Sequence, residues 1–265
     1  MKTRLIIALV LVLMLFSFAC KRKAEQLPDQ DIAQQVTTFA PLPSFKEVYS
    51  TLDQVQVKDI SAAVPTTTYK TKQEEVRNAF SLGLLTADAV LAAKGRNKGK
   101  LSDISAQMMT LTSLLGLESE VNRLGDNMKS MIEKEQWEEL DKALDFHKDD
   151  VESKLWESEN FDNYTLMLMG GWIEAANRIA WLINQNYETT RTSVLAQKGT
   201  FNHLLNNLKQ IKTPHITEQA AFVKAVTQTE ELKAILDNDK DGTYTKEQIE
   251  QIIAKTEAIK ATFQE

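Results

Sequence analysis

The stretch YTLMLMGGWIEAANRIAWLINQN, residues 164–186, constrains this chain most. Its first ten residues carry no charge, and charge enters afterwards only at Glu174 and Arg178. A helix that is hydrophobic on all sides belongs inside a core. Gly170 and Gly171 then stand mid-helix, where each costs about 1 kcal/mol against alanine. Close approach of a second helix is the usual compensation. Glu174 and Arg178 are four residues apart with the acid first, the favourable order for a helical pair. Two readings follow. Trp172 and Trp181 could line a polar pocket with Glu174 and Arg178 that takes a small ligand. Alternatively, the ion pair locks a helix crossing, and this reading is preferred because a buried ion pair is weak evidence for function.

The rest of the chain reads as helix almost throughout. Glycine (9) and proline (5) are scarce in 265 residues, which disfavours a turn-rich β fold, and no strand-like alternation of useful length occurs. After Pro65, the words TKQE (Thr71 to Glu74) form a capping box for a helix running to about Lys94. Further helices are expected over 102–117, 118–133, 135–156, 164–185, 189–211, 217–236 and 245–263. GRNKGK, bracketed by Gly95 and Gly99, is a basic turn, ESENFDN is a loop, and Pro214 in KTPH stops a helix because proline cannot continue the ladder. The expected fold is all-α, a bundle or irregular superhelix of about eight helices. Within LGLLTADAVLAA, Asp88 sits among Leu84, Leu85, Val90 and Leu91. An ionised, unpaired carboxylate is costly to bury, so either Arg178 partners it or it faces water at the edge of the stripe.

The N-terminus sets an address. MKTR is a short basic start, and Leu5 to Ala19 is an apolar run of fifteen residues ending at Cys20, the one cysteine. The run is short for a membrane span and right for a signal-peptide core. This layout resembles a bacterial lipoprotein signal, with Ser17 where such signals usually carry leucine. The resemblance implies that Cys20 is lipidated and becomes the mature N-terminus, an anchor strengthened by the cations of Lys21 to Lys23 beside anionic headgroups. Residues 1–19 are then the signal peptide, 20–43 a lipidated cysteine and polar tether with three prolines, and 44–265 the helical domain, its first helix capped by Ser44. With Lys2 and Arg4 removed, 29 basic residues face 37 acidic ones, a balance of −8. Such a body has no basic face to replace phosphate counterions, which argues against a nucleic-acid partner.

The words LGLLTADAVLAA, LTSLLGL, GDNMKSMIEKEQWEELDKAL and LMGGWIEAANRIAWLI, over residues 76 to 211, resemble a group of helical bacterial lipoproteins that share LG-x-x-x-AD, LG-[LI] and GGW-[IV]-E in this order. The group implies an all-helical fold and brings no assigned activity. No metalloprotease, nucleophile-elbow, P-loop or dinucleotide fingerprint occurs. His147 lies on the stripe of Trp137, Leu140, Leu144, Val151 and Leu155, three residues before Asp150, and reads as a boundary histidine rather than a metal ligand. His203 and His215 have no local partners at ligand spacing.

DNDKDGTYTKEQ, Asp237 to Gln248, is the sharpest chemical signal. In a calcium-loop register Asp237, Asp239 and Asp241 supply positions 1, 3 and 5, Gly242 the turn, the Thr243 carbonyl position 7 and Thr245 position 9. Position 12, where a bidentate glutamate belongs, is Gln248, so any Ca2+ affinity should be weak. The same letters have a metal-free reading: Thr245 and Gln248 are a capping box, and Asp241–Gly242 is a common turn pair. Residues 217–263 are thus expected to form an EF-hand-like helix–loop–helix. Together these features point to a lipid-anchored, extracytoplasmic helical module that binds or scaffolds a protein or small-molecule partner. A ligand carrier using the tryptophan region is the alternative, and an enzyme with a carboxylate-based site is less favoured.

Overall fold

The structure is a computed structural model and describes residues 60–64, 69, 74–117, 127–158 and 160–264. The apolar run ending at Cys20, the tether, the helix expected at Ser44, the Thr71 end of the TKQE box and residues 118–126 lie outside the described residues. The described end of that box, Glu74, is itself the N-cap of the helix starting at Glu75 and makes no side-chain cap bond, so the box does not open that helix as expected. The described elements are α-helices, two short 3-10 segments (Ile60–Ala63 and Thr189–Leu195) and one isolated bridge between Lys240 and Thr243; no strand occurs among them. The fold is all-α, as the sequence implies.

The helices are α1 (Glu75–Lys94), α2 (Lys98–Leu114), α3 (Trp137–Glu157), α4 (Phe161–Gln185), α5 (Lys198–Gln210), the single-turn α6 (Pro214–Thr217), α7 (Ala220–Asp237) and α8 (Lys246–Gln264). Residues 127–133 are also helical. At the centre α1 lies against α4, the most extensive pairing of the described elements. On the remaining sides α2 and α3 cover α1, α5 covers α4, and α8 packs on α4 with α7 outside it. Both central helices are buried along nearly their whole length, as a sequence apolar on all faces requires. By length and composition α1 would cross a membrane, yet it lies almost wholly inside the bundle.

The glycines explain the crossing. A Cβ on Gly83 of α1 would stand 1.9 Å from the Met167 carbonyl oxygen and 2.7 Å from the Gly171 nitrogen of α4. A Cβ on Gly170 would stand 2.1 Å from the Phe80 carbonyl oxygen. Backbone meets backbone at this point, so the helical cost of Gly170 is offset by contact between the two helices.

Several boundaries differ from the sequence reading, each for a local reason. Gly99 lies within the first turn of α2 rather than in the basic turn, because Asn97 caps the helix by accepting from the Lys100 N–H at 3.1 Å. The left-handed residue of that turn is Arg96, with φ 52°. Phe161 to Asn163 belong to α4 rather than to a loop, since Asn160 accepts from the Asn163 N–H at 3.3 Å. The amphipathic stretch expected over 189–211 is broken at 196–197 into a 3-10 segment and α5. There the Thr192 hydroxyl donates to the Thr189 carbonyl at 2.6 Å and accepts from the Tyr244 N–H at 2.8 Å, tying the segment to the corner after α7. Pro214 stops one helix and starts the next at N1, where its missing N–H costs nothing.

Candidate functional site

The crossing of α1, α4 and α8 encloses a cluster of ionisable side chains. Asp88 comes from α1, Glu174 and Arg178 from α4, and Lys260 from α8. Tyr69, in the segment before α1, completes it. The carboxyls of Asp88 and Glu174 are 1% and 0% exposed. Of the two readings open for Asp88, a buried partner or water, the structure has the partner: Arg178 Nε lies 3.6 Å from Asp88 Oδ1. The closer partner of Arg178 is Glu174, through Nη2. Lys260 Nζ approaches the other oxygen of Glu174 at 2.7 Å and also pairs with Glu257, half-exposed at the rim, at 2.9 Å. The Tyr69 hydroxyl donates to Asp88 Oδ2 over 3.4 Å, and its backbone N–H donates to Gln107 on α2 at 2.9 Å.

The two acids are therefore unequal. Both cations concentrate on Glu174, whereas Asp88 has one cation beyond hydrogen-bond length and a long phenol contact. Burial pushes Asp88 well above the usual carboxylate range, with the neighbouring Glu174 charge adding to the rise and Arg178 opposing it. Burial also raises Glu174, but Lys260 and Arg178 outweigh it and hold that carboxyl below its ordinary value. The acids lie within hydrogen-bonding reach of each other. The arrangement favours the charge on Glu174 and the proton on Asp88, the direction expected when two carboxyls share a dry site. Burial and the same two acids also lift the Tyr69 phenol well above its normal value, so it stays a donor.

The tryptophans that the sequence placed beside this cluster have separate roles. Trp172 is buried against Phe201 of α5, ring centroids 4.5 Å apart, and its indole N–H makes no hydrogen bond. Trp181 is half-buried and packs on the core. Lys260 and Tyr69 are the members that sequence reasoning missed. Lys260 carried a signal: it falls on the buried stripe of Thr256, Ile259 and Phe263, where a lysine needs an acid. Tyr69 carried none.

The aspartate loop is held by its own protein groups. Gln248 Oε1 accepts from the Thr245 N–H at 2.8 Å, and the Thr245 hydroxyl oxygen accepts from the Gln248 N–H at 3.3 Å, a reciprocal capping box. Gln248 also donates to the Asn238 carbonyl at 2.5 Å. Asp239 accepts from the Gly242 N–H at 2.7 Å and pairs with Lys198 of α5, and Lys198 and Gly242 hold its carboxyl below the usual range. Asp237 pairs with Lys233 one turn earlier. Asp241 is exposed with φ 54°, followed by Gly242 at 75°. The Thr243 carbonyl, assigned to an ion by the calcium register, accepts from the Lys240 N–H at 2.9 Å. Tyr244 is buried, its hydroxyl donating to the Leu236 carbonyl at 3.0 Å and its own carbonyl accepting from the Tyr187 hydroxyl at 2.9 Å. Among the described residues, no group of three His, Cys, Asp or Glu side chains is arranged to hold a metal ion.

His147 is buried on α3, where burial lowers it to about 4 against a partial opposing effect of Asp150. His203 and His215 are exposed. No family model, curated protein or solved structure matches the chain.

Proposed function

We propose that the chain is a lipid-anchored helical protein working outside the cytoplasmic membrane as a binding or scaffold module. The observation that carries this reading is the fifteen-residue apolar run closed by Cys20 and followed by Lys21–Arg22–Lys23. Lipid chains on one cysteine add about 0.8 kcal/mol per buried CH₂, enough for several chains to hold a folded domain at a bilayer. A binding role is favoured over catalysis because the ionisable groups of the described cluster are engaged with one another. A small-ligand carrier has less support, since Trp172 is packed against Phe201 and Glu174 is taken by two cations. Calcium at the aspartate loop is also the weaker reading, because it would have to displace Lys198 from Asp239 and Lys233 from Asp237.

The test is membrane fractionation of the full chain in bacteria. Cys20→Ser should move the protein from the membrane to the soluble fraction, with loss of incorporated radiolabelled palmitate. Unchanged membrane association would overturn the reading.

A further inference from the structure

Helix α8 packs between α4 and α7 and touches α1 near its C-terminal end. Its N-terminal half packs through Ile249 and Ile252, and its middle receives the Asn177 amide, which donates to Thr256 Oγ1 at 2.9 Å. Near its end Phe263 stacks on Phe80, centroids 4.1 Å apart, the Phe263 carbonyl accepts from Arg77 at 3.2 Å, and Gln264 donates to Ser81 at 2.6 Å. The one charged group α8 carries into the interior is Lys260, and it lands on Glu174.

That contact decides where the cluster keeps its proton. With α8 seated, Lys260 and Arg178 both stand on Glu174, and Asp88, buried with only Arg178 at 3.6 Å and the Tyr69 hydroxyl at 3.4 Å beside it, is the acid left to hold a proton. With α8 lifted, Lys260 leaves and water reaches the pair, so neither acid has reason to hold a proton at neutral pH. Seating the helix therefore takes up a proton. We propose that the docking of α8 is a proton-dependent latch, in which Lys260 settles on Glu174, Asp88 closes the cluster as a neutral acid, and loss of that proton releases the helix.

The ionisable groups facing Asp88 are consistent with this. They are Tyr69 from the preceding segment, Glu174 and Arg178 from α4, and Lys260 from α8 with Glu257 behind it; α2 contributes the neutral Gln107, which holds the Tyr69 backbone. Ionising Asp88 would place a second carboxylate beside Glu174 in a dry site, and opening α8, which carries Lys260, would let water relieve it. A lipid-anchored protein would meet such a trigger wherever the medium outside the membrane changes in acidity.

The experiment is hydrogen exchange of the full chain followed by mass spectrometry from pH 6 to 9, with protection factors corrected for intrinsic exchange. One proton taken up on docking predicts that protection of residues 246–264 falls by about tenfold per pH unit while that of α1 falls less. In Asp88→Asn, whose amide still donates to Glu174 but cannot ionise, protection of α8 should be independent of pH. A wild-type α8 whose protection is flat with pH overturns the proposal, as does a fall that persists in Asp88→Asn. Should Asp88→Asn not fold, the wild-type protein alone decides by infrared spectroscopy: the carbonyl stretch of a protonated, buried carboxylic acid must be present at neutral pH and vanish as α8 loses protection. Its absence at neutral pH overturns the latch.

Discussion

At Gly170 a single hydrogen stands where any other residue would place a carbon 2.1 Å from the Phe80 carbonyl oxygen. That oxygen belongs to backbone and cannot rotate away, so the two central helices would have to part. Gly170→Ala should lower unfolding free energy by about 1–3 kcal/mol or more, although alanine is the better helix former; urea denaturation measures it, and an unchanged midpoint would mean that the crossing is loose. His147 tests the interior differently. Its folded value of about 4 lies below its unfolded 6.5, so the folded state binds fewer protons between those limits. Its contribution is present above pH 6.5 and lost as the pH falls toward 4, by on the order of 3 kcal/mol in total. Denaturation at pH 7 and pH 4 should show a smaller acid loss in His147→Gln than in the parent. The comparison must be with that variant, because Glu174 loses stability in acid as well while Asp88, Glu152 and Asp162, all raised by burial, act in the opposite sense.

Among the elements, the corner between α7 and α8 shows how one set of letters can support two structures. Read as a calcium loop, the sequence needs converging acids; read as a helix start, it needs Thr245 and Gln248, and both cap bonds are formed. Gln248→Ala should therefore cost about 1 kcal/mol, measurable in calcium-free buffer. The melting temperature of the parent should be the same with and without millimolar calcium, a concentration at which extracellular modules of this type fill. A rise with calcium that is lost in Asp237→Ala would establish the ion instead. The capping box was legible because its bonds span only three residues. Lys198 as the partner of Asp239 was not: it comes from another helix, 41 residues away. The broken helix at 196–197 was illegible for the same reason, since its stretch is helical in pattern and the tie to Tyr244 lies 52 residues away.

For the molecule as a whole, the arrangement places its most polar interior cluster where three helices meet, and the latch follows from that placement. The anchor proposed at Cys20 and the pH response proposed at Asp88 are separable. Cys20→Ser should release the protein from the membrane with the pH dependence of α8 intact, and Asp88→Asn should remove the pH dependence with the anchor intact.

The sequence by itself determined the all-helical class, the identity of the buried central helix, the need for close approach at Gly170, and the capping box of α8, because each rests on periodicity or on residues a few positions apart. It left open whether Asp88 meets Arg178 or water. Tertiary structure decided that question, and it alone brought Lys260 and Tyr69 to the pair and Lys198 to Asp239. The physical reason is range: helix period and capping act within a turn or two of chain, whereas the protonation of a buried carboxyl depends on the charges that distant segments bring within a few ångströms.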